Sequence, residues 1–180
     1  MNYAAIKPVD IANGPGVRVS LFVSGCTHHC KGCFQPETWN FDYGQPFTPQ
    51  TQEEILGYLA PDYVQGLTLL GGEPMEPQNQ AGLLPLLRAV KTRLPEKSIW
   101  CFTGYTLDKD ILPGKLGDRA VTQELLSYLD VLVDGEFVEA LKNLSLRFRG
   151  SSNQRLIDVP KTLAAGEIVL WQDWQTEKGK

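Results

Sequence analysis

Three of the four cysteines fall within eight residues, spaced Cys26-x3-Cys30-x2-Cys33 inside the stretch from Val23 to Phe34. So tight a spacing disfavours disulfides among neighbours, and the odd count leaves one thiol over. Crowded soft thiolates suit iron–sulfur or zinc chemistry. A cubane [4Fe–4S] cluster has four irons, so three cysteines leave one iron without a protein ligand and open to chemistry. Two other assignments use the same region: a structural zinc with His28 or His29 as fourth ligand, or a closed cluster completed by the distant Cys101. Cys101 lies mid-strand among large apolar residues and reads as buried packing. His28 and His29 read as loop residues, because a histidine ligand would fill the position that an open iron offers.

The elements around this loop decide what it can meet. Asn13-Gly14-Pro15-Gly16 is a turn feeding a first strand, Val17–Val23, which Gly25 ends. The cysteines then lie beyond the strand's C-terminal end, where ligands collect in α/β architectures. From Phe34 to Phe47 the chain reads as a loop packed over the site, with Trp39 and Phe41 as packing residues that limit access of water and oxygen. Thr48 caps a helix that starts at Pro49 and runs to about Leu59, with Ile55, Leu56 and Leu59 inward.

Gly66–Leu70 reads as a buried parallel strand ended by Gly71-Gly72, whose missing side chains let backbone approach a ligand, and Glu73-Pro74 follows. A helix over 78–94 buries Leu83, Leu84, Leu86, Leu87, Val90 and Leu94, with Pro85 in its first turn or kinking it. Ser98–Thr103 is a third strand with Thr103 at the functional end, and residues 108–118 a polar connection. Val121, Leu125, Leu126 and Leu129 mark another helix. Val131–Val133 is a fourth strand leading into Asp134-Gly135, where the aspartate is a turn cap or a site residue. Residues 147–155 read as a basic solvated loop, Glu167–Trp171 as a last strand, and Gln172–Lys180 as a polar, frayed tail. Strands alternating with helices imply βαβ units and a parallel sheet, too short in strands for a closed eight-stranded barrel.

With 180 residues the chain makes one domain, 1–180, its core spanning about 14–171. A net charge of −4 offers no broad attraction for polyanions, which removes nucleic acid as a general partner. No apolar run approaches the roughly 20 residues of a bilayer span, and the N-terminus lacks a charged region followed by an apolar core. A cytoplasmic location is expected, with no membrane partner, and there thiols stay reduced.

Cys26-x3-Cys30-x2-Cys33 followed by Gly71-Gly72-Glu73-Pro74 resembles the radical S-adenosylmethionine superfamily. Asn13-Gly14-Pro15-Gly16, Glu37-Thr38-Trp39, Val133-Asp134-Gly135 and Arg149-Gly150-Ser151-Ser152-Asn153-Gln154 bring the resemblance, within it, to the activating proteins of anaerobic ribonucleoside-triphosphate reductase. It covers nearly the whole chain and weakens over 50–65, over 76–97 and after Asp158. The resemblance implies an incomplete (βα) barrel of mainly parallel strands whose open side admits a protein substrate. It implies a [4Fe–4S] cluster on Cys26, Cys30 and Cys33, with S-adenosylmethionine on the fourth iron and an electron from a flavodoxin- or ferredoxin-like donor. Cleavage would yield a 5′-deoxyadenosyl radical that takes hydrogen from a glycine of the reductase.

By the same resemblance Gly71, Gly72 and Glu73 bind the methionyl amino group, Thr103 and Asp134 meet the ribose or carboxylate side, and Gly32, Cys33 and Phe34 lie against adenine. Many superfamily members have an aromatic residue where Gly32 stands, so the adenine contact moves to backbone and Phe34. Asn13, Arg149, Ser151 and Asn153 are expected to meet the partner at the mouth. Three rival functions use the same residues: activation of another glycyl-radical enzyme, radical chemistry on a small molecule, or a non-catalytic electron carrier or zinc module. The short chain, without extra cysteines for a ferredoxin insert, disfavours the first.

Overall fold

The computed structural model describes residues 1–172. At its centre four strands run parallel: β2 (Val17–Val23), β4 (Val64–Gly71), β5 (Ser98–Phe102) and β6 (Val131–Asp134). Between them come α1 (Pro49–Leu59), α2 (Pro77–Arg93) and α3 (Arg119–Tyr128). The α1 start follows the sequence logic, with Thr48 and Thr51 closing a reciprocal capping box ahead of Pro49. Three antiparallel strands complete the sheet: β1 (Asn2–Asp10), β3 (Gln45–Pro46) and β7 (Arg155–Asp158). The order β3-β1-β2-β4-β5-β6-β7 gives one open seven-stranded sheet, and so a single α/β fold with a mixed, mostly parallel sheet.

Because successive side chains in a strand point to opposite faces, each central strand serves two environments. Val19, Leu21, Val23, Leu67, Leu69, Ile99, Cys101 and Leu132 enter one core with Ile55, Leu56 and Leu59 of α1, Leu83, Leu86, Leu87 and Val90 of α2, and Leu125 and Leu126 of α3. The alternate positions face the other way. There Trp100, Val131 and Val133 form a second cluster with Phe102, Phe148, Leu156 and Trp171, while Phe22, Leu70 and Phe102 border a cavity. On this second face Arg18 is fully buried. Its guanidinium donates to Thr68 Oγ1 at 2.7 Å, Leu67 O at 2.8 Å, and Ser98 Oγ and O at 3.0 and 3.1 Å, tying β2, β4 and β5 together. Burial lowers its pKa to about 10, which leaves it cationic at neutral pH.

The structure departs from the sequence reading in several places. The expected first strand is the second, because Asn2–Asp10 pairs antiparallel with it and the Asn13–Gly16 turn closes a hairpin. Its Ala4-Ala5 and Pro8 give little β signal, and Pro8 is tolerated because the strand lies near the sheet edge. Pro85 lies in the interior of α2, beyond its first turn. The connection after β5 contains a π-helical turn, Leu107–Ile111, which buries both of its end residues. β7, Arg155–Asp158, starts at the last residue of the expected 147–155 loop and continues where no element was expected, and α4 (Val159–Ala165) follows. The expected last strand, Glu167–Trp171, makes a single bridge, Leu170 to Ile157, since β7 already holds the sheet position beside β6. Most of the expected frayed tail, 173–180, lies outside the described residues.

Two predictions follow from this packing. Burial raises the Asp10 pKa, but hydrogen bonds from Ser20, Asn13 and the Ala12 N–H outweigh it and hold the carboxyl below its ordinary value. The stability it contributes is therefore full above the unfolded-chain value and lost as pH falls through the lower folded one. Asp10→Asn should flatten the acid limb of urea-unfolding stability from about pH 5 downward, and an unchanged limb would remove Asp10 from the linkage. Cys101, fully buried on the helix-facing side, should tolerate Cys101→Ala at a cost of about 1 kcal/mol with iron content unchanged after reconstitution. Loss of iron would make it a ligand.

Candidate metal and cofactor site

Beyond the C-terminal ends of β2 and β4 lies a cavity of about 590 Å³, and Cys26, Cys30 and Cys33 all line it. All three are free thiols, Cys26 buried and the other two half-buried. The base of their loop is clamped from one side: Gly25 N–H donates to Thr38 O at 2.7 Å and Cys26 N–H to Trp39 O at 3.2 Å. Those acceptors come from a 3₁₀ turn, Pro36–Trp39, so the segment expected to pack over the site does so through backbone as well as aromatic rings. Cys33 N–H returns to Cys30 O at 3.1 Å, with His29 and Gly32 in left-handed conformations between Cys26 and Cys33. Burial pushes the Cys26 thiol up to about 12 and the Cys30 thiol to about 11, with the charges of Glu73 and Glu136 adding to the effect. Ligation of a cationic centre would reverse that preference by displacing the thiol protons.

The donor set fits a group larger than one ion. Among the described residues no three His, Cys, Asp or Glu side chains gather closely enough to hold a single metal, whereas the three thiols line one cavity. In a cubane each cysteine binds a different iron, so the sulfurs stand further apart than around a mononuclear zinc. His28, one candidate zinc ligand, is engaged elsewhere: its Nε2 lies 3.0 Å from Glu73 Oε2.

Gly71, Gly72 and Glu73 also line the cavity. Both glycines are required by the fold itself. Gly71 has φ +106°, and a Cβ there would lie 2.7 Å from Phe22 Cα, while one on Gly72 would lie 2.6 Å from Gly25 O. That close approach lets Gly72 N–H donate to Val23 O at 2.7 Å and Glu73 N–H to Gly25 O at 2.8 Å. Glu73 is 1% exposed. Its Oε1 accepts from Met75 N–H at 2.8 Å and its Oε2 from Gly104 N–H at 2.7 Å besides His28. Nearby, Glu76 accepts from the N–H and hydroxyl of Thr27 at 2.9 and 2.6 Å. Asn79 donates to Ser24 O at 3.0 Å and Glu73 O at 2.9 Å.

The remaining candidates divide. Thr103 lines the cavity, its hydroxyl accepting from Tyr105 N–H at 3.1 Å. Phe34 lines it too, 68% exposed, its ring 5.5 Å from that of Phe137 and under Lys142. Asp134 is not brought to the cavity: it is fully buried, and its carboxylate takes the guanidinium of Arg155 and the N–H of Leu107. Its neighbour Gly135 lines the cavity instead.

Asn13 and Arg149 border the cavity, at the hairpin turn and the 147–155 segment. Ser151 is buried, accepting from Val138 N–H at 3.2 Å, and Asn153 donates to Glu136 O at 2.8 Å beside a second, shallower hollow. Neither borders the main cavity. Gln154, which sequence reasoning did not single out as a site residue, does border it and braces the segment, accepting from Gly150 and Ser151 N–H and donating to Gly135 O.

Comparison with known proteins bears directly on this site. A family model described as a 4Fe-4S single cluster domain matches residues 12–157, a span that contains every cavity-lining cysteine. The chain is 47% identical over 156 residues to the anaerobic ribonucleoside-triphosphate reductase-activating protein of Enterobacteria phage T4, covering 87% of this chain and 93% of that protein. It is 44% identical over 156 residues to the proteins of the same name from Vibrio cholerae and Escherichia coli K12, covering 86% of this chain and 96% of each. The family match supports an iron–sulfur cluster in this domain, and with identity sustained across most of both partners the chain belongs to the family of anaerobic ribonucleoside-triphosphate reductase-activating proteins.

Proposed function

We propose that this chain activates anaerobic ribonucleoside-triphosphate reductase, holding a [4Fe–4S] cluster on Cys26, Cys30 and Cys33 with one iron left for the amino and carboxylate groups of S-adenosylmethionine. The observation that carries the reading is the convergence of three free thiols with Gly71, Gly72 and Thr103 on one cavity, and the shared name of the relatives supports the partner. When bound, the reduced cluster would supply one electron to the sulfonium of S-adenosylmethionine, breaking S–C5′ to give methionine and a 5′-deoxyadenosyl radical, which would take a hydrogen atom from Cα of a glycine in the reductase.

The protein's own residues position and shield rather than act as acids or bases. Gly71 and Gly72 put no side chain between the end of β4 and the methionyl amino group. The Thr103 hydroxyl serves the ribose or carboxylate side, and Gly32, Cys33 and Phe34 serve adenine. Asp134 contributes by fixing Arg155 and the Leu107 turn. The Pro36–Trp39 turn limits water and oxygen. The open seven-stranded sheet supports reading the domain as an incomplete (βα) barrel, entered by the reductase between Asn13 and Arg149, with Ser151 and Asn153 shaping the segment that carries Arg149. A target glycine suits this entry because no Cβ obstructs it. The electron comes from a flavodoxin- or ferredoxin-like donor in the cytoplasm. No helix among the described residues is long and apolar enough to cross a membrane.

Electron paramagnetic resonance of anaerobically reconstituted, reduced protein tests this directly. A [4Fe–4S]⁺ signal that shifts on adding S-adenosylmethionine, followed by a glycyl radical in added reductase, is the expected result, and a cluster indifferent to S-adenosylmethionine would overturn it. Cys30→Ala should abolish reductive cleavage, measured as 5′-deoxyadenosine release; full release from that variant would remove the three-cysteine assignment.

A further inference from the structure

The two histidines of the cysteine loop point to opposite walls. His29, with φ +52°, sets its ring 4.6 Å from that of Trp39, on the covering turn. His28 turns toward the sheet, where its Nε2–H donates to Glu73 Oε2 at 3.0 Å, a contact whose side chains are 13% and 2% exposed. The same oxygen accepts from Gly104 N–H at 2.7 Å, so one carboxylate oxygen joins the loop after β2, the segment after β4 and the end of β5. The imidazole is also fixed sideways. A Cβ on Gly104 would lie 2.7 Å from the ring's Cδ2 and Nε2, and the Tyr105 ring lies 4.3 Å away. Thr27, one residue earlier, is held by Glu76 alone on the β4–α2 connection and by a 3.4 Å approach of the Tyr105 hydroxyl. His28 is therefore the cysteine-loop side chain that bonds directly to Glu73 and so helps register the loop against the Gly71–Glu73 segment.

We propose that His28 is a positioning residue that, through Glu73, sets the distance between the cysteine-held cluster and the backbone cradle for S-adenosylmethionine. This rests on the reading of the cavity given under Proposed function. Without the imidazole, Glu73 keeps Met75 and Gly104 as donors, so the carboxylate stays in place and the loop is what gains freedom. The cysteines can still collect a cluster, but its open iron no longer stands at a fixed offset from Gly71 and Gly72. Glutamine at 28 offers an N–H at comparable reach and restores the registration.

The test has two parts. In protein without cluster, urea unfolding of His28→Ala, Glu73→Gln and the double variant should give effects that do not add, as expected for side chains in direct contact; additive effects would overturn the contact. In reconstituted protein of measured iron content, the S-adenosylmethionine concentration that half-shifts the reduced-cluster resonance should rise roughly 10–100-fold in His28→Ala, the range typical of lost outer-sphere ligand support, and recover in His28→Gln. An unchanged midpoint, or a rise that His28→Gln does not recover, would overturn the proposal. So would a His28→Ala protein unable to hold iron, which would assign His28 to cluster assembly instead. Failure of the wild-type cluster to respond to S-adenosylmethionine would strike the functional reading itself, while the unfolding cycle would still report on the contact.

Discussion

The carboxylate of Glu73 is the constraint on which the rest of the site depends. It is a buried carboxyl group satisfied by two backbone N–H groups and one imidazole. A carboxylate so placed is costly to bury unless all its donors are present at once. Those donors come from the segments following three adjacent parallel strands, which end at a common level because β2, β4 and β5 run in register. The parallel sheet thus creates the condition for the carboxylate, and the carboxylate in turn fixes the loops that the sheet alone would leave loose.

The two faces of that sheet divide the labour of stability and chemistry. The helix-facing side is almost wholly aliphatic and carries the main core. The other side must stay partly open, and it replaces aliphatic packing with directional contacts: the Arg18 guanidinium bonded across three strands and an aromatic cluster of Trp100, Phe148 and Trp171. Hydrogen bonds and ring contacts fix geometry without filling volume. A cavity can therefore persist beside them.

Much of this was legible in the residues, for reasons that also explain what was not. The α1 start could be read because Thr48-Pro49 is a local signal, and β4, β5 and β6 because short apolar runs end in glycine or aspartate. β7 and α4 are short, and Ala4-Ala5 and Pro8 blunt the β signal of β1; their place is decided by partners elsewhere in the chain. In the site, cysteine spacing and Gly71-Gly72 carried their own message. The Glu73–His28 contact spans 45 residues of sequence, and nothing local announces it. Asp134 shows the reverse: an aspartate ending a strand looks alike whether it faces a ligand or, as here, Arg155. Gly135 and Gln154 were overlooked because a glycine after a strand and an amide in a polar loop have ordinary structural uses.

The interlock of Gly72 with Gly25 and Thr38 bears on how the protein matures. The cysteine loop has almost no structure of its own. Its base leans on a turn that follows it in the chain, on the end of β4, and through His28 on the end of β5. Contacts of such sequence separation form late, after the loop-closure entropy has been met. A chain emerging from the ribosome would expose Cys26, Cys30 and Cys33 long before Gly104 exists to complete their surroundings. A group held by these three thiols would therefore find its full surroundings only once the sheet has folded.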